Sequence, residues 1–259
     1  MPVTFSALNR VMQPLTTVVL RPDSIALRGA MGGESVAIDR VPGQDPYALA
    51  QSAATAFAAL MARRRSKPER FTLLASDYWL RALVVPLHGQ PLTDKETALL
   101  VDRSLAHAFG ATGNTWVSRW LMQPDGSVLA AAWPLPLAQL VAGRAQGTPR
   151  AERAAPLSME VFGSLRMGRR AGWAILVDGS IVTVARLHGP NWGCWRVGQF
   201  GDSESARALD WFLRLVAQTS DACGDVWLGV YGAPKPVAHP LAAGLRDSGW
   251  TVREIGDLP

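Results

Sequence analysis

The sequence predicts an α/β protein built from two halves, each a mixed β-sheet flanked by helices. Three observations carry that expectation. Each half opens with three consecutive β-rich runs separated by turn residues. In each half the apolar period then changes from two to about 3.6, the mark of a helix, before further strands follow. The chain of 259 residues is 48% hydrophobic and only 18% charged, which supplies the apolar material for more than one sizeable core.

The first half is assigned to residues 1–144. "TTVVL", "SIALRG" and "SVAID" are its opening strands, the first two split by Arg21-Pro22-Asp23-Ser24, a strand–turn–strand signal. A helix begins at Asp45, a good N-cap, with Pro46 in the first helical position. Leu49, Ala53, Ala56, Phe57, Leu60 and Met61 fall near one face, and Arg63 to Arg65 end the helix where cations complement its dipole. "FTLLAS" is a buried strand, and Ser76-Asp77 reads as a strand end before a second apolar run. Thr93 with Glu96 is a capping box opening another helix. "TWVSRWLMQPDGSVLAAAW" is a hairpin turning at Pro124-Asp125-Gly126, and a short Pro-started helix follows it.

Residues 145–158 are polar, basic and small, and read as an exposed connector. The second half, 159–259, repeats the order. "GWAILVDGSIVTVARL" is a hairpin with Asp178-Gly179 at its tip, read as a type I′ turn, and "WGCWRVGQF" is a third strand. A helix capped by Ser203 places Ala208, Trp211, Phe212 and Leu215 on one face. The strand "DVWLGVYGAP", a short helix and the strand "WTVREI" complete a β-β-β-α-β-α-β order.

Composition narrows the function classes. The formal charge is +5, carried mostly by Arg. The cations are dispersed apart from 63–67 and 166–170, so the clustered charge with interleaved aromatics of a nucleic-acid binder is not seen. Cys194 and Cys223 form no CxxC, and the four histidines form no metal-ligand spacing, so the sequence predicts neither a metal site nor a cofactor. No acid/base pair or nucleophile elbow is visible, so no catalytic residue is assigned. The amino-terminal stretch lacks a signal-peptide pattern, and no run of about 18 apolar residues predicts a membrane helix. A soluble, cytoplasmic protein is expected.

A three-strand meander followed by helix and strand, occurring twice, resembles the actin-like fold, the duplicated RNase H-like architecture of actin, sugar kinases and Hsp70. The segment "FTLLASDYWLRALVVPL" through "LVDRSLAHAFGATGNTWVSRWLMQPDGSVLAAAWPLPLAQL" is similar to the cytoplasmic actin-like proteins of type IV pilus and type II secretion machines, the pilus M-component and the secretion L-component. The resemblance implies a platform lying against the inner membrane through its partners, coupling a membrane-embedded assembly complex to cytoplasmic proteins. It is compatible with a homo-oligomer.

The same resemblance implies where a nucleotide would sit. Two hairpins of the kind D-x-G should cradle phosphates, and a Gly-rich turn should meet the adenosine. The first falls on Asp23 and Ser24, where no glycine is present and Pro22 removes an N–H donor. The second falls on Asp178, Gly179 and Ser180, which reads more simply as a structural hairpin. The third falls on Gly232, in a strand-to-helix turn. These features imply a degenerate site and a scaffold without turnover; the alternative is an active ATPase or kinase of the same superfamily. Among the ten tryptophans, Trp192 in a Gly/Pro-rich turn and Trp195 on the adjacent strand are the candidates for a partner surface, since Trp is favoured at interface hot spots; the alternative reading is that both pack inward as core.

Overall fold

The computed structural model describes residues 16–28, 33–39, 45–63, 71–110, 114–143, 151–163, 165, 171–201, 203–219, 224–231 and 238–255. Gly232, Cys223, residues 144–150 and the basic stretches 64–67 and 166–170 lie outside them.

The first half is organised on a five-stranded sheet. β1 (Thr16–Leu20), β2 (Ser24–Arg28) and β3 (Glu34–Ala37) form an antiparallel meander, and β4 (Phe71–Ala75) and β8 (Ala151–Pro156) add in parallel, giving the order β3-β2-β1-β4-β8. The second half repeats it with β9 (Ala171–Asp178), β10 (Ile181–His188), β11 (Asn191–Gln199), β12 (Asp225–Tyr231) and β13 (Thr251–Glu254), in the order β11-β10-β9-β12-β13. Position for position the two sheets match, so the predicted duplicated α/β fold is present.

The helices match too. α1 (Pro46–Arg63) and α3 (Leu135–Val141) serve the first sheet, and α5 (Ser205–Gln218) and α6 (Ala238–Asp247) the second. Among the described residues the second half has no counterpart of a three-stranded antiparallel sheet of β5 (Arg81–Val85), β6 (Trp116–Met122) and β7 (Val128–Pro134), order β5-β7-β6, backed by α2 (Asp94–Phe109).

Local signals act as read. Asp45 Oδ2 accepts from the amides of Tyr47 and Ala48, and Thr93 and Glu96 complete a capping box at α2, which ends in left-handed Gly110 at φ 67°. Two readings need correction. Ser203 is not the cap of α5: Glu204 holds the N-cap position, and its carboxylate accepts from the Gly201 amide. The stretch 145–158 is not simply an exposed connector, because Ala151–Pro156 is β8 and Leu157–Gly163 is α4. Short, Ala-rich and ending in Pro, "AERAAP" has the composition of a linker but the place of an edge strand, where Pro is tolerated. The first sheet therefore extends to Pro156 rather than stopping at 144.

Strand alternation sets the layers. On β9, Trp173, Ile175 and Val177 point to α5 and α6, while Ala174 and Leu176 point to the first half. On the first sheet, Val18, Leu20 and Leu73 meet Leu49, Phe57, Leu60 and Leu137 of α1 and α3, while Val19 and Leu74 face inward. The inward faces of both sheets close on α4, whose Leu157, Val161 and Phe162 fill the space between them. The two halves thus share a continuous apolar core.

Candidate functional site

The cleft where the two halves meet is framed by the two meander turns, by the end of β12, and by the 3-10 turn Asp77–Trp79 after β4. In the first turn Ser24 Oγ donates to Asp23 Oδ1 at 2.9 Å, and Asp23 is exposed. Arg21 N–H donates to Ser24 O at 2.8 Å within the same turn, and Pro22 has no N–H. The hydroxyl and carboxylate expected to face a ligand are therefore engaged with each other, while Arg21 reaches across to the other half. Its Nε lies 3.3 Å from Asp178 Oδ1, with Arg21 28% and Asp178 5% exposed. An ion pair ties the base of the second hairpin to the first.

The tip of that second hairpin is Gly179-Ser180, with Asp178 paired directly to Ile181. Gly179 has φ 64° and Ser180 does not have positive φ, so the turn fits type II′ rather than I′. The Ser180 carbonyl accepts from Phe200 N–H. Tyr231, next to Asp178 across the β9–β12 ladder, is 1% exposed. The Arg21 and Arg28 guanidiniums lie 5.2 and 5.3 Å from its ring centre. Burial pushes the Tyr231 hydroxyl above the usual phenol range, against the pull of the two arginines.

Asp77, read from sequence only as a strand end, is the most perturbed group in the cleft. It is 2% exposed. Ser158 Oγ donates to its Oδ1 at 2.7 Å, and Ser158 N–H and Thr183 Oγ1 donate to Oδ2 at 3.3 and 2.9 Å. Burial pushes its carboxyl up to about 7, and the nearby Asp178 charge adds to that, while the hydrogen bonds from Ser158 and Thr183 oppose it. Asp77 thereby joins the first half, α4 and β10. Ser158 and Thr183 stand 81 and 106 residues away, a separation at which a single sequence carries no signal. Among the described residues no three His, Cys, Asp or Glu side chains converge to hold a metal ion.

The structure brings Asp178, Gly179 and Ser180 to the cleft with Arg21, leaves Asp23 and Ser24 occupied within their own turn, and does not describe Gly232. It removes Trp195 from the expected tryptophan surface and leaves Trp192 half-buried. Trp192 is not in a turn but in β11, half-buried, its ring 4.9 Å from that of Trp195. Trp195 is fully buried against Leu80, Ala82 and Leu129 of the three-stranded unit. Gln123 adds a reciprocal amide link, donating to Trp192 O at 3.0 Å and accepting from Trp192 N–H at 2.6 Å. Both rings belong to an internal seam; of the residues that suggested a loop, Pro190 borders β11 and Gly193 lies within it.

A further concavity lies elsewhere. A groove of about 620 Å³ runs between the three-stranded sheet, α3, α4 and β8. Trp120, Leu121, Leu129, Trp133 and Met159 line it, with Arg119 and Glu152 as its charged groups. Leu121 is 61% exposed. β6 and β8, which both contribute to the groove, are edge strands of their sheets.

No family model and no curated protein matches the sequence. Solved structures do match in shape. A Bacteroides thetaiotaomicron protein of actin-like ATPase fold and unknown function is similar at TM-score 0.63 and 10% identity, over 95% of this chain and 92% of that one. The PilM–PilN type IV pilus biogenesis complex contains a chain similar at TM-score 0.61 and 14% identity, over 93% and 88%. The cytoplasmic domain of EpsL, an inner-membrane component of the Vibrio cholerae type II secretion system, is similar at TM-score 0.52 and 12% identity, over 95% and 91%. The fold is the actin-like one, as the element order implied.

Proposed function

We propose that the chain is a non-catalytic actin-like scaffold that docks protein partners of an inner-membrane assembly complex of the type IV pilus or type II secretion kind, acting from the cytoplasmic side. The observation that carries this reading is the Arg21–Asp178 ion pair. In a phosphate-binding cleft both hairpins present free amides and an acid to the ligand and its metal. Here the first hairpin presents an arginine, the arginine is neutralised by the acid of the second, and Pro22 removes an amide. Mg-ATP does not fit those residues. The alternative, nucleotide turnover, rests on Asp178-Gly179-Ser180 and on Asp77 beside them; the same ion pair and the burial of Asp77 weigh against it.

The apolar groove suits the docking role. Its aromatic and aliphatic lining accepts alternate side chains of an extended peptide, and an edge strand supplies main-chain pairing, the recognition mode of strand addition. The occupant is an extended, mainly apolar segment of an assembly partner. No helix among the described residues is long and apolar enough to cross a membrane. The reading is tested by mixing the chain with the inner-membrane assembly proteins encoded beside its gene and following complex formation by size exclusion. A complex lost on Leu121→Asp supports it; a complex indifferent to groove substitutions, or none with any such protein, counts against it.

A further inference from the structure

Asp77 has a place in the fold that a spent ligand site does not need. Its carboxylate ties three separate elements, the 3-10 turn of the first half, Ser158 of α4 and Thr183 of β10 in the second half. The charged groups near it are few. Asp178 of β9 is the acid whose field reaches it. Asp178 is paired with Arg21 of the first turn, and Arg21 and Arg28 flank Tyr231 of β12. On α4, Glu160 is engaged with Arg153 at the surface. Arg21 thus pairs with Asp178, one of the two buried acids here.

Two of the three donors to Asp77 are hydroxyls, which rotate to donate or accept. The node therefore keeps its hydrogen bonds with Asp77 ionised or protonated; what changes is its charge, which the Asp178 charge opposes. We propose that Asp77 is a proton-responsive lock between the two halves: protonated, it holds them closed, and ionised, it repels Asp178 and lets them part more often. This holds whether or not the cleft takes a nucleotide.

The sign follows from linkage. The Asp77 carboxyl is raised from 3.8 to about 7 in the closed state. Its protonated form therefore stabilises closure fully below about 3.8, progressively less as pH rises, and no further loss occurs above about 7. Between those values the opening equilibrium should rise up to about tenfold per pH unit.

Native-state amide exchange across pH 5 to 8, corrected for intrinsic base catalysis, tests this on the full chain. Two amides report on separate seams between the halves: Ser158 N–H on Asp77 and Trp192 N–H on Gln123. In the wild type, protection at both should fall by up to about tenfold per unit from pH 5 and level near pH 7. Asp77→Asn should flatten both profiles, and Asp178→Asn should move the break to lower pH. Should Asp77→Asn fail to fold, Thr183→Val serves: losing a donor to the ionised carboxylate should move the break to higher pH. Profiles that are flat in the wild type, unchanged in these variants, or pH-dependent at Ser158 alone overturn the lock.

Discussion

Replacing Trp195 separates an internal seam from a docking surface. Trp195 is 0% exposed and its indole sits against Leu80, Ala82 and Leu129 of the three-stranded unit, with Trp192 beside it. A tryptophan buries about 150–250 Å², and at about 25 cal/mol per Å² that is roughly 4–6 kcal/mol of transfer free energy. Partial collapse of the cavity brings the expected cost of Trp195→Ala to about 3–5 kcal/mol. At about 2–4 °C per kcal/mol for a chain near this size, the melting temperature should fall by on the order of 10 °C. Trp195→Phe provides the internal control. The indole Nε1 is buried without a hydrogen-bond partner, so the smaller ring removes an orphaned donor while losing part of the packing, and the two effects largely offset. Differential scanning calorimetry of both variants gives the answer. A Trp195→Ala melting temperature within about 2 °C of wild type, or Phe as damaging as Ala, refutes the placement of this ring inside the molecule.

Gly179→Val should cost about 1–3 kcal/mol, measured by urea denaturation; nothing lies within 4 Å of an added Cβ, so the whole effect comes from forcing a β-branched residue to φ 64°. Gly198→Ala should destabilise for the opposite reason, since its Cβ would meet the Phe200 ring at 2.6 Å at a residue without positive φ; a neutral result there would contradict the packing of β11. Arg21→Ala leaves the Asp178 carboxylate without its ion-pair partner and should cost about 1–2 kcal/mol, the exposed side of Arg21 moderating the loss. Thr93→Ala removes a capping box on an exposed helix end and should cost about 1 kcal/mol, read as a lower urea midpoint.

The parts of the fold legible in the sequence are those with local causes. The meander turns, the Asp45 and Thr93 caps, the Pro124-Asp125-Gly126 hairpin and the alternation on β9 each express chemistry within a few residues, and together they reveal the duplication. β8 was hidden because its six residues are mostly small or polar and owe their strand conformation to the ladder with β4. α4, at seven residues, is too short to show a period. The cleft was legible only in part. Asp178, Gly179 and Ser180 announce a turn, but the partner that changes their meaning, Arg21, lies more than 150 residues earlier by its number. Asp77 looked like punctuation because its donors come from α4 and β10. Trp192 reads as a turn residue because Gly and Pro usually mark loops, whereas β11 pairs with β10 through a register shift and keeps Gly193 inside the strand.

Titration calorimetry of the chain with Mg-ATP reaches the central proposal most directly: on the scaffold reading, the Arg21–Asp178 ion pair stands where a phosphate cradle would be. The expected result is no saturable binding in the micromolar range. A dissociation constant below about 10 µM, worth roughly 7 kcal/mol, would contradict the account, most sharply if Asp178→Ala then abolished the binding.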